Sequence, residues 1–177
     1  MTTLDNGVIV DEQYTAEYLT PERDCQSVFG VARGTSQTCI HHWGEFGQRF
    51  DDVVNFLRSR NSREVSAHFV VQDGRVTCLV SPADVAWHAG NGVANAQTIG
   101  IECRPEMTQG DIDTLASLIR YLETIYGDQA IYIHQNFANT TCPGRYVGAI
   151  DEIISKINGT SVDVEAKPGP IVKCGCA

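Results

Sequence analysis

The chain holds five histidines and seven cysteines. These are the side chains zinc prefers, and a catalytic zinc site takes three protein ligands while leaving a fourth position for water. Three of them fit such a set by their local context. His41 follows Cys39-Ile40 at the end of a strand-like run. His134 follows Ile131-Tyr132-Ile133 at the end of another, and Cys142 comes eight residues later. Neighbouring strands would fix both imidazoles, and the loop of residues 135–141 could fold back to present a thiolate. On spacing alone the triplet is one of many that so many donors offer. Glu102 ends the apolar run of residues 98–101. A carboxylate there is either a solvated strand end or a general base.

These residues need elements to hold them. Residues 38–41 read as a buried strand. Phe50, Val53, Val54 and Leu57 recur at helical spacing, which predicts a helix over 50–58. The runs 67–71 and 75–80 flank Gln72-Asp73-Gly74, a hairpin signal. Residues 98–102 form a further short strand. Thr108 caps a helix with Asp111 in its first turn; Ile112, Leu115, Ile119, Leu122 and Tyr126 mark its apolar face, and Gly127 ends it. Residues 130–134 are a strand. A last helix carries Val147, Ile150, Ile153, Ile154 and Ile157 and stops near Asn158-Gly159. The first 35 or so residues have no clear period. Strands alternating with helices predict one α/β domain with a central mixed β-sheet flanked by helices. That domain spans 1–159. Residues 160–177, with Lys167-Pro168-Gly169-Pro170 and the terminal Cys174 and Cys176, read either as a tail or as a linker into a further module.

Composition narrows the partners. A formal charge of −9 argues against nucleic acid, which needs clustered Lys and Arg. No apolar stretch approaches the roughly 20 residues of a membrane helix, so no membrane partner is expected. Residues 1–11 are polar and acidic, without the pattern of a secretory signal. The cysteines are odd in number and irregularly spaced. Cys39, Cys78 and Cys103 lie in apolar runs, as small buried hydrophobes do; a disulfide framework is not expected.

Five motifs follow in order: Ile40-His41-His42, Ser66-Ala67-His68-Phe69 through Gly74, Trp87-His88-Ala89-Gly90, Ile99-Gly100-Ile101-Glu102, and His134 through Thr140-Thr141-Cys142-Pro143-Gly144. Together, over residues 38–157, they resemble the type 2 N-acetylmuramoyl-L-alanine amidases. That family includes phage amidase-type lysozymes and the peptidoglycan recognition proteins. The resemblance implies Zn2+ held by His41, His134 and Cys142, with His42 behind the site or on its groove. It implies Glu102 as general base, because some members use a Tyr where Ala67 stands here. Thr140 matches a Lys or Thr position beside the zinc and either assists the carbonyl oxygen or caps its loop. Trp87 and His88 match groove-wall positions that bind substrate. His68 is a catalytic or a hydrogen-bonded core histidine. The implied reaction is hydrolysis of the bond between N-acetylmuramic acid and L-alanine in bacterial peptidoglycan, by a monomer. The implied setting is a phage endolysin, made in the host cytoplasm and reaching the wall through membrane lesions. Alternatives are a recognition module without activity, against which the presence of Cys142 argues, and a cytoplasmic amidase recycling muropeptides.

Overall fold

The computed structural model describes residues 2–159; the expected tail or linker at 160–177 lies outside the described residues. Its strands are β1 (Val10–Glu12), β2 (Leu19–Thr20), β3 (Gln37–His42), β4 (Phe69–Gln72), β5 (Arg75–Cys78), β6 (Val85–Ala86), β7 (Ile99–Cys103) and β8 (Ala130–Ile133). Its helices are α1 (Glu22–Phe29), α2 (Phe50–Arg58), α3 (Gly92–Gln97), α4 (Gln109–Tyr126) and α5 (Ile150–Asn158). Six strands form one mixed sheet in the order β1-β5-β4-β7-β3-β8, and β2 pairs with β6 separately. Within the large sheet only the β4–β5 hairpin is antiparallel. Asp73-Gly74 closes it, with Gly74 at φ +68°, the left-handed backbone that two-residue hairpin loops favour.

Strand alternation sends successive side chains to opposite faces. Ile40, Ile99 and Ile101 enter one core, against Leu115, Ile119 and Leu122 of α4 and Ile153 of α5. Each fully buried side chain of this kind contributes about 1.5–3 kcal/mol. On the other face Phe50, Val53, Val54 and Leu57 of α2 pack on Val70, Leu79 and Val80. The spacing-based helix at 50–58 and the capped helix after Thr108 form as expected. Thr108 and Asp111 make a reciprocal capping box, and Gly127 is the C-cap at φ 78°. Asp111 is 1% exposed. It also accepts the Asp73 N–H at 2.8 Å and pairs with Arg104 at 2.9 Å, so one carboxylate ties α4 to the hairpin and to the end of β7.

Three features differ from the sequence reading. The last helix starts only at Ile150, because Gly144–Ala149 is a 3-10 turn. Three residues per turn breaks the helical phase, so Val147 is exposed, as is Ile154, and Ile153 and Ile157 carry the burial. α3 was not foreseen; it is too short for a period to register. The N-terminal region adds β1, which joins the sheet edge beside β5. Cys39, Cys78 and Cys103 are buried, and so is Cys25. Among the described residues no helix is long and apolar enough to cross a membrane.

Candidate active site

Parallel strands deliver three functional side chains to one edge of the sheet. His41 and Glu102 lie at the C-terminal ends of β3 and β7, and His134 opens the 3-10 turn that directly follows β8. This is the edge at which open α/β sheets bind ligands. Cys142 reaches it from the following loop, where the Thr140 hydroxyl oxygen accepts the Cys142 N–H at 3.1 Å and the His42 N–H points at Cys142 Sγ at 3.4 Å. One donor atom each from His41, His134 and Cys142 lies within 4.8 Å of the other two. His41 Nδ1 is 3.7 Å from Cys142 Sγ. Two nitrogens and a sulfur make a donor set suited to zinc.

A second group, Cys39, His41 and His88, meets the same distance limit but is wholly buried. His41 Nε2 is 2.9 Å from His88 Nδ1, a hydrogen-bond distance. This group supports His41 from behind, while the His41-His134-Cys142 group faces a cleft.

The cleft measures about 690 Å3 and runs from the donor atoms along α2, past Trp43, Arg49, Phe56, Arg63 and Thr140. Glu102 lines it, and Glu102 Oε2 is buried without a hydrogen-bond partner among the described residues. Desolvation pushes this carboxyl up to about 7, with Arg63 opposing more weakly. A group with that affinity can both take and return a proton near neutrality. Burial lowers the His41 and His134 pKa values and raises the Cys142 thiol to about 12, the Glu102 charge adding to the latter.

The structure thus gathers His41, His42, Glu102, His134, Thr140 and Cys142 around one cleft. His42 Nδ1 accepts the Gly44 N–H at 3.1 Å. His88, expected in the groove wall, does line the cleft, but at 6% exposed it lies beneath His41. Trp87, expected in the groove wall, donates its indole N–H to Thr20 at 3.0 Å and packs on Tyr18, away from the cleft lining. His68 is fully buried; its Nδ1 accepts the Gly100 N–H at 2.9 Å, as a core histidine does. The sequence reading missed Trp43 and Phe56 as cleft walls. Phe56 sits off the apolar stripe of α2, and an exposed aromatic is a signal that only a structure turns into a location.

The model of the family Amidase_2, described as N-acetylmuramoyl-L-alanine amidase, matches residues 33–145. No curated protein sequence matches the chain. Solved structures do. The catalytic domain of XlyA superposes with a TM-score of 0.68 at 19% identity, covering 85% of this chain and 99% of that one. A mutant endolysin from Bacillus subtilis gives 0.70 at 18%, covering 85% and 99%. The N-acetylmuramoyl-L-alanine amidase LysC from Clostridium intestinale URNW gives 0.61 at 21%, covering 85% and 97%. At these identities the likeness is one of fold: a single α/β domain with a mixed central sheet. The family match takes in every donor at the sheet edge and more than half of the chain, which therefore belongs to the N-acetylmuramoyl-L-alanine amidase family.

Proposed function

We propose that this protein is a zinc-dependent amidase that cleaves the bond between the lactyl carbonyl of N-acetylmuramic acid and the L-alanine nitrogen in peptidoglycan. The observation carrying this reading is the convergence of His41, His134 and Cys142 beside the unpartnered Glu102 oxygen in one cleft. The donor set fits zinc in type and number, and the cleft side leaves room for water and substrate. Bound zinc supplies Lewis acidity, which lowers the pKa of water and polarises a carbonyl.

The chain's own residues then carry the proton and position the substrate. Glu102 takes the proton of the attacking water and returns it to the departing L-alanine nitrogen as the C–N bond breaks. The Thr140 oxygen already accepts the Cys142 N–H, so its hydroxyl hydrogen is left to donate to the carbonyl oxygen as that oxygen gains charge. Trp43, Phe56 and His42 wall the cleft around the glycan and stem peptide. Residues 1–159 act as the catalytic domain, and one chain supplies the whole site, in keeping with a monomer. The endolysins among its structural neighbours and the family match support a phage endolysin acting on intact wall.

The test is metal analysis joined to digestion of purified sacculi. One zinc per chain and release of stem peptides with free L-alanine amino groups are expected. Release of reducing sugar ends without free amino groups would overturn the reading. Activity confined to soluble muropeptides would replace wall lysis by fragment recycling.

A further inference from the structure

The segment His88-Ala89 reaches the back of both histidines proposed as zinc donors. His41 Nε2 is 2.9 Å from His88 Nδ1, and His134 Nε2 is 3.2 Å from the Ala89 carbonyl oxygen. The direction of these hydrogen bonds follows from their far ends. The Thr98 hydroxyl donates to the Ala94 carbonyl at 2.8 Å, so its oxygen is left to accept from His88 Nε2, 3.3 Å away. A neutral imidazole carries one N–H. With that proton on Nε2, His88 Nδ1 can only accept, so His41 donates to it from Nε2, and Cys39 Sγ, 3.2 Å from the same nitrogen, is a second acceptor for that N–H. The lone pair of His41 is then on Nδ1, the atom facing Cys142. A carbonyl oxygen can only accept, so His134 also donates from Nε2 and keeps its lone pair on Nδ1.

Two further observations show how this segment is fixed in place. The buried Asn95 carboxamide oxygen accepts both the His88 N–H, at 3.0 Å, and the Ala89 N–H, at 2.7 Å. Gly100, in the interior of β7, has no room for a side chain: a Cβ there would stand 2.4 Å from His88 Cγ. A glycine in a strand interior marks such a close approach.

We propose that His88, with Asn95 behind it, is a positioning residue: it sets the tautomer and ring orientation of His41 while the Ala89 carbonyl does the same for His134, so that both present Nδ1 lone pairs to one metal ion. This rests on the zinc site proposed above. Partners of this kind on ligating histidines are worth about 10–100-fold in metal affinity.

The test uses the full chain. Imidazole 15N spectra of metal-free wild type should show His41 and His134 as Nε2–H tautomers. His88→Phe keeps a ring but has no acceptor. It should bind zinc at least tenfold more weakly in chelator competition while its metal-free form melts near wild type. His88→Asn places an amide oxygen close to the Nδ1 position and should recover most of the affinity. A wild-type His41 protonated on Nδ1 would overturn the proposal even if the variants fail to fold. So would a folded His88→Phe binding zinc within threefold of wild type. A wild type that binds no zinc at all fails instead at the underlying site, and that outcome is read separately from the tautomers.

Discussion

His41 and Glu102 are direct partners across the parallel pair β3–β7, on the same face of the sheet. A proposed metal ligand and a proposed proton carrier are thus set side by side by strand register, with no dependence on loop conformation. A one-residue slip of either strand would turn that strand's member of the pair into the apolar core and part the two. The register is secured by Ile40 opposite Ile101 on the buried face.

Glu102→Gln should keep zinc, fold and most substrate affinity, since glutamine has nearly the same size and Glu102 is not a proposed ligand. It should lose about 10²–10⁴-fold in kcat, the usual contribution of general acid–base catalysis, with KM little changed. Stem-peptide release compared at equal zinc occupancy measures this. A variant within about threefold of wild type would remove Glu102 from proton transfer.

Cys142→Ala removes one of three proposed donors. Zinc stoichiometry should fall well below one per chain at micromolar metal, and wall hydrolysis should disappear with it. Stripping wild type with a chelator should abolish activity, and added zinc should restore it. An active, metal-free wild type would defeat this prediction.

Asp111→Ala should destabilise the fold without touching the cleft. It takes away the side-chain half of the capping box that Asp111 supplies, leaving the Thr108 half in place, and leaves Arg104 without its carboxylate. Loss of a buried partner together with half of a capping box amounts to roughly 2–4 kcal/mol here, as Arg104 keeps some access to water. Urea unfolding gives the figure directly, and a loss under 0.5 kcal/mol, the range of ordinary surface substitutions, would contradict it.

Asp5 ties the N-terminal segment to α4 through Arg120 and Ser117. Burial raises its pKa, but the hydrogen bonds from Arg120 and Ser117 outweigh that and hold it below 3.8. A lowered folded-state pKa contributes stability above the unfolded value, and that contribution is lost as pH falls through the folded one. Asp5→Asn should therefore cost roughly 1–3 kcal/mol at pH 7, the scale of a charged hydrogen bond. The gap from wild type should close at acid pH, below about 3.8. Melting curves across pH test this, and a constant gap would show that charge is not involved.

Much of the molecule was legible in the residue order. Periods of 3.6 over residues 50–58 and 109–126 are local properties of a helix, and Thr108, Gly127 and Asp73-Gly74 act on the backbone within a few residues of themselves. Donor chemistry is likewise carried by residue type, but five histidines and seven cysteines offer many triplets; the order of the five motifs and the family they resemble singled out His41, His134, Cys142 and Glu102 before any fold was known. What tertiary structure decided is every relationship across the chain. The pairing of His41 with Glu102 depends on strand order, and the cleft wall formed by Phe56 depends on where α2 docks. The place of His88 depends on a contact with His41, 47 residues away. In sequence His88 sits beside Trp87 and shares its motif; in space one lies under the donor atoms and the other packs on Tyr18. Adjacent residues leave the backbone in different directions, and only the packed sheet determines which of them meets the site.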